Sequence, residues 1–335
     1  MTKIPVYEPF AFAEQLARLG PGGDVTEVLQ QPTPEGERAR FLRKVLFSER
    51  GPDRDLVEAD AGMIARLKEL AAIAPNFEAA VGVVSRAAQL AMQTRRPLEV
   101  PPLLLIGPAG VGKTFFARAV AKAVGTNYAE VAMNQVDDAG ALVGHSLSWR
   151  AARPGIIART LLEGPSASPV IFADEIDKSS WREQGDAIDV FHSLLECESS
   201  KAFVDAFIEA PVRADRVLWV LAANDTGALR PSLLDRMLPL PIEPPTAGQR
   251  AIVIRSVYAN VVSSYRPEFA ADIGGDVIDA LADATPRQTR RLLQLALGYA
   301  AERRRRRLAP DDVRRASRQL TAGVQKPCFG FRPSR

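Results

Sequence analysis

Three apolar runs stand out from the hydrophobic and polar pattern of the chain: LLLIG at 103–107, VIFAD at 170–174 and VLWVLAAN at 217–224. Each is continuous rather than alternating, as expected of strands buried on both faces of a parallel sheet. Helical spacing separates them, so the pattern predicts a doubly wound α/β layer. After Pro244 and Pro245 the strands stop. Apolar positions then recur at helical spacing over about 246–262, 276–283, 287–302 and 310–319, which predicts a small helical domain. Upstream, the Ala-rich stretch from Asp60 to Thr94 carries Ile64, Leu67 and Leu70, then Val81, Val84, Ala88 and Ala91, and reads as two helices. A shorter helical pattern over 39–47 places Phe41, Leu42, Val45 and Leu46 on one face. The segment 19–38, rich in Gly, Pro and charge, is expected to be a loop or linker. No internal repeat is found. The expected organisation is a helical and loop N-terminal region with a flexible linker (1–95), an α/β core (96–245), a helical domain (246–320) and a tail (321–335).

Composition narrows the class without naming a partner. Hydrophobic residues make up 47% of the 335 and charged residues 25%, ordinary for a globular chain, and the net charge is only +3. Cys197 and Cys328 lie far apart, and the chain has only two histidines. That pattern argues against a disulfide framework or zinc site and suits a reducing cytoplasm. The first twenty residues lack a basic stretch followed by an apolar core, so no signal peptide is expected. No apolar run approaches the ~18 residues that a membrane span needs.

One stretch changes the picture. GPAGVGKT, from Gly107 to Thr114, fits G-x-x-x-x-G-K-[ST] in full, with a predicted strand before it and a predicted helix after it. Glycines at those positions let the backbone wrap around phosphate oxygens and aim N–H groups inward. The helix opening at Lys113 adds its positive end. The expected phosphate-binding residues are Gly107, Pro108, Ala109, Gly110, Val111, Gly112, Lys113, Thr114 and Phe115, with Lys113 reaching the β- and γ-phosphates of ATP and Thr114 ligating Mg²⁺. The run VIFADEID, 170–177, brings two adjacent carboxylates to a strand end, where open α/β sheets bind ligands. Asp174 suits the metal and Glu175 the polarisation of an attacking water.

With these motifs in order, the chain resembles the AAA+ ATPases, and within them the ATPase module of the Lon proteases, over about 101–320. GHSLSWRAARPGIIARTLLEG (144–164) looks like the Lon pore-loop segment, and DEIDKSSWREQGDAIDVFHSLLE (174–196) like the segment after its second carboxylate motif. KAFVDAFIEAPVRADRVLWVLAAND (201–225) and LRPSLLDRM (229–237) resemble the stretches that reach sensor 1 and the arginine finger. The resemblance implies an AAA+ P-loop core with a C-terminal helical lid. It also implies that Asn224 is sensor 1, Arg236 the arginine finger and Arg287 sensor 2. A finger supplied in trans requires a head-to-tail homo-oligomeric ring, in the family a hexamer. The alternatives are that Asn224 caps a turn, Arg236 pairs with Asp235 and Arg287 is solvated.

Trp149 and Arg150 fall where Lon grips a polypeptide, although Arg150 replaces an aliphatic residue and AARPG replaces a glycine-containing turn. Trp149 could instead pack in the core or a subunit interface. About 15 residues follow the last helical pattern, so the expectation is a motor without its own protease domain, acting on a protein substrate or partner. One competing reading comes from the C-terminal arginines. Between Thr285 and Arg318 eleven arginines face three acidic residues, Glu302, Asp311 and Asp312. Such a cluster could bind nucleic-acid phosphates. It lacks interleaved aromatic residues, and a solvated lid face is the favoured reading.

Overall fold

The computed structural model describes residues 2–135, 139–178, 188–265 and 268–324. Residues 179–187 of the segment quoted above, and the expected tail from 325 onward, lie outside the described residues. By its contacts the chain divides into two compact units. The first comprises residues up to Ala71, Phe77–Pro108 and Lys113–Ile242; the second comprises Ala72–Asn76, Ala109–Gly112 and the chain from Glu243 onward.

The first unit is built on a parallel sheet. Its strands are β3 (Leu103–Ile106), β4 (Tyr128–Ala132), β5 (Val170–Asp174), β8 (Leu218–Ala223) and β9 (Leu238–Pro241), in the order β4-β5-β8-β3-β9. The three inner strands are the three apolar runs, and Leu103–Leu105, Val170–Ala173 and Leu218–Ala223 are buried throughout. Helix α5 (Lys113–Val124) follows β3, packs Phe116, Val120 and Val124 inward and stops at Gly125, whose φ is +76°. Phe116 stacks on Phe77, with ring centroids 4.8 Å apart. Phe77 directly precedes α4 (Glu78–Thr94).

Two strands escape the apolar-run pattern because they form the sheet's edges. In β4, Tyr128 and Glu130 are only half-buried. In β9, Pro239 and Pro241 read as breakers. Yet Leu238 and Ile242 donate their N–H groups to the β3 side, to Pro102 O at 2.7 Å and Ile106 O at 2.6 Å. The prolines alternate with these donors on a strand that, among the described residues, pairs only with β3, the setting in which proline is tolerated.

Residues upstream of α3 (Ala61–Ile73) belong to the same unit. A two-stranded antiparallel pair joins β1 (Lys3–Pro5) to β2 (Asp53–Asp55). Helices α1 (Pro9–Arg18) and α2 (Pro34–Leu46) bury Phe12, Leu42 and Val45 in the same apolar cluster as the sheet. Helix α2 starts earlier than the expected loop allows. Thr33 caps it by accepting from Gly36 N–H at 3.2 Å, and Pro34 occupies its first position, where a missing N–H costs nothing. Short elements complete the unit: α6 (Gly140–Val143), α7 (Ile156–Glu163), α8 (Val190–Leu194), α9 (Cys197–Ser200), the hairpin β6 (Phe203–Val204) with β7 (Pro211–Val212), and α10 (Pro231–Leu234).

The second unit is helical where it follows Glu243. Helices α11 (Ala247–Val262), α12 (Gly275–Asp279), α13 (Pro286–Glu302) and α14 (Pro310–Val324) enclose Ile254, Tyr258, Val262, Val277, Leu281, Leu293, Leu297 and Val313. Thr285 and Gln288 form a reciprocal capping box at the start of α13. The buried Asp312 carboxylate is held by Arg305 at 2.6 Å and by Ala309 N–H at 2.9 Å. Among the described residues, no helix is long and apolar enough to cross a membrane.

Candidate active site

Parallel pairing places the carboxyl ends of β5, β8 and β3 side by side, and the chemistry gathers there. Ile106 is in register with Ala223, and Ala173 with Leu221. One step further on, Gly107 is therefore level with Asn224, whereas Asp174 is level with Ala222, two residues before Asn224. Gly107 donates its N–H to Ala223 O at 3.2 Å, which continues the sheet into the glycine loop. No side chain fits at Gly107, because a Cβ there would stand 2.2 Å from Ile242 O. Gly110 and Gly112 adopt φ of +88° and +111°, a region that disfavours residues with a Cβ.

Lys113 opens α5 and turns its side chain back into this site. It is 7% exposed and donates to Gly107 O at 2.5 Å and to Asn224 Oδ1 at 3.2 Å. Burial pulls its ammonium below the usual lysine range, against the opposing pull of Asp174, Asp177 and Glu175. Thr114 Oγ1 donates to Asp174 Oδ2 at 3.3 Å. Burial pushes the Asp174 carboxyl above the ordinary range, while bonds from Glu175 N–H and Thr114 pull it back. A hydroxyl beside one carboxylate is a hard oxygen donor set, which fits Mg²⁺ sharing its coordination with water and phosphate oxygens. Among the described residues there is no group of three His, Cys, Asp or Glu that could hold a metal.

Glu175 stands next to this pair in a left-handed backbone conformation, φ +56°. Its N–H donates to Asp174 Oδ1 at 2.9 Å, and its carboxylate pairs with Lys178 Nζ at 2.6 Å. Asp177 accepts from Asn224 N–H at 3.0 Å and so ties the turn after β5 to the end of β8. Sequence reasoning assigned no role to Asp177 or Lys178. Their signal was present, two further charges within one turn of Glu175.

Of the remaining candidate residues, Arg236 and Trp149 have contacts of their own in the first unit, and Arg287 belongs to the second. Arg236, after α10, pairs with Glu196 at 3.2 Å and donates to Ser232 O at 2.7 Å, so its partner is not Asp235. Trp149 is 57% exposed in a loop whose base is closed by His145 N–H donating to Arg153 O at 3.1 Å. It therefore lies outside the core of the chain, and Arg150 beside it is exposed. His145 faces Trp149 with ring centroids 5.8 Å apart. In the second unit, Arg287 lies exposed in the first turn of α13. A Cβ added to Gly110 of that unit would stand 3.5 Å from Arg287 Cβ and 3.6 Å from Thr285 Oγ1.

Residues 103–240 match the family described as "ATPase family associated with various cellular activities (AAA)". A Lon protease of Flavobacterium johnsoniae is 34% identical over 146 residues, which cover 44% of this chain and 18% of that protein. A Lon protease of Frankia alni is 31% identical over 215 residues, covering 59% of this chain and 25% of that one. The chain thus spans a quarter or less of the length of these curated relatives. Among solved structures, a point mutant of RuvB from Thermotoga maritima superposes with a TM-score of 0.50 at 18% identity, over 73% of this chain and 70% of that one. That likeness is one of fold. By these matches residues 103–240, which hold the parallel five-stranded sheet, are similar to the AAA family of ATPases and, in sequence, to Lon proteases.

Proposed function

We propose that this chain is a ring-forming, ATP-driven remodeller or unfoldase of proteins, a Lon-like motor working in the cytoplasm as a homo-oligomer, by family expectation a hexamer. In this reading residues 96–245 are the nucleotide-binding core and 246–320 its helical lid. Gly107–Phe115 hold the phosphates of ATP, with Lys113 as the counter-charge. Thr114 and Asp174 hold Mg²⁺, which when bound supplies charge neutralisation at the phosphates. Glu175 polarises the attacking water, Asn224 orients it and Arg287 couples the lid to the nucleotide. Arg236 enters a neighbouring subunit's site, where a guanidinium stabilises charge on the transferred group.

The observation that carries the mechanical reading is Trp149, an exposed aromatic residue on a closed loop of the same unit as Lys113, Asp174 and Asn224. A large side chain at such a position presses on an extended polypeptide whatever its sequence, and Arg150 is its neighbour in that contact. Reduced, carboxymethylated lactalbumin, a permanently unfolded chain, should raise ATP turnover severalfold, and Trp149→Ala should abolish that rise. A Trp149→Ala protein that is still stimulated would overturn the threading role. The second reading, nucleic-acid association, rests on the exposed Arg304, Arg306 and Arg307. It requires DNA or RNA to stimulate turnover in a strongly salt-dependent way.

A further inference from the structure

The Trp149 loop leaves and rejoins the fold at two glycines, and both lie against one buried carboxylate. Asp205, between β6 and β7, is fully buried. Its Oδ2 accepts from Gly155 N–H at 2.8 Å, and its Oδ1 from Phe207 N–H at 2.9 Å and Ile208 N–H at 3.2 Å. Gly144, with φ +84°, passes so close that a Cβ there would stand 2.2 Å from Asp205 Oδ1. A Cβ on Gly155 would meet Gly144 N at 2.5 Å. Ala206 N–H donates to Val143 O at 2.7 Å and reinforces the same junction.

The turn that carries Asp205 is also bonded to the N-terminal helices. Arg38 of α2 is 3% exposed, donates to Ile208 O at 2.7 Å and to Gln15 Oε1 at 2.9 Å, and pairs with Glu209 at 3.2 Å. Gln15 of α1 donates in turn to Glu209 O at 2.9 Å. Glu209 itself adopts a left-handed φ of +58°. A buried guanidinium and a buried carboxylate that both bond the backbone of one short turn leave that turn little freedom to move alone.

We infer that Asp205 is the positioning residue of the Trp149 loop, and that Arg38 ties the same turn to α1 and α2, so that the three segments present Trp149 as one mechanical piece. The function of this piece rests on the reading that Trp149 touches a polypeptide; the clamp itself does not. Asp205→Asn keeps the shape and one acceptor oxygen but places an NH₂ group where Gly155 N–H needs an acceptor. Arg38→Met removes the second attachment without touching the loop.

Two measurements on the full chain test this. Trypsin cleavage after Arg150 reads the loop directly, and ATP turnover against lactalbumin concentration reads its use. In Asp205→Asn, cleavage at Arg150 should rise at least tenfold. The lactalbumin concentration for half-maximal stimulation should rise at least fivefold, while the maximal rate and the basal kcat and KM for ATP stay within about twofold. Arg38→Met should move the same two readouts in the same direction, by twofold to fivefold. If Asp205→Asn fails to fold, the Arg38→Met result decides. Unchanged cleavage in a folded variant overturns the clamp. Raised cleavage with an unchanged half-maximal concentration overturns the positioning role. Raised cleavage in a protein that lactalbumin does not stimulate at all supports the clamp and overturns the polypeptide reading instead.

Discussion

Glu175 offers a measurement of the strain stored in the active site. Its φ of +56° puts a residue with a Cβ in the left-handed region, at a cost of about 1–2 kcal/mol. The conformation is held by its N–H bond to Asp174 Oδ1 at 2.9 Å and by Lys178 N–H donating to Glu175 O at 3.0 Å. Glu175→Ala and Glu175→Gly both delete the carboxylate and its Lys178 pair, so they differ from each other only in the Cβ. Alanine retains the left-handed cost. Glycine escapes it but gives up about 0.4–1 kcal/mol through the greater freedom of its unfolded chain. The glycine variant should therefore be more stable than the alanine variant by about 0.5–1 kcal/mol, the reverse of the usual order. For a unit of this size that is a Tm difference of about 1–4 °C. Guanidinium unfolding of the nucleotide-free proteins followed by circular dichroism provides the comparison, and the loss of the Glu175–Lys178 pair is common to both variants. An alanine variant equal to or more stable than the glycine one would refute the strain. The site would then hold Glu175 without cost, and the left-handed turn would have no part in aiming it.

Two further outcomes follow from the side chains around the site and the loop. Arg236→Ala should leave ATP affinity within severalfold of wild type while cutting turnover by about 10³ or more, the range seen for arginine fingers. Full turnover in a dilute monomeric preparation would refute the shared site, and the ring with it. Burial pushes the Asp205 carboxyl up from 3.8 to about 6, with its three N–H bonds and Arg38 pulling the other way. The folded protein thus holds that proton more tightly than the unfolded chain does. The associated stability is fully present below about pH 4 and is lost as pH rises through about 6, amounting to about 3 kcal/mol. Denaturant unfolding of wild type and Asp205→Asn between pH 4 and 7 isolates this effect, since every other titrating group cancels. A wild-type-minus-variant difference that is flat with pH would refute it.

How much of this was legible depended on whether a feature is local in the chain. The inner strands appear in the sequence as apolar runs because both of their faces are covered, so every position must be apolar. The glycine loop is legible for a related reason: a backbone that turns through φ of +88° and +111° within a few residues restricts those residues itself. Edge strands carry no such mark. β4 keeps Tyr128 and Glu130, and β9 keeps two prolines, because among the described residues each pairs along one edge alone.

The partners of charged groups were the least legible. Arg236 finds Glu196, forty positions away, rather than the adjacent Asp235. Asp205 reaches back fifty residues to Gly155. The amino-acid sequence by itself determined the glycine loop and the inner layer of the sheet, because period and glycine spacing are properties of short segments. Only the tertiary structure decided which carboxylate meets which cation, and which buried side chain holds the exposed tryptophan in place. Those pairings depend on how strands of distant sequence are laid edge to edge. A hydrogen bond is set by a distance of about 3 Å in space and is indifferent to the number of residues between its ends.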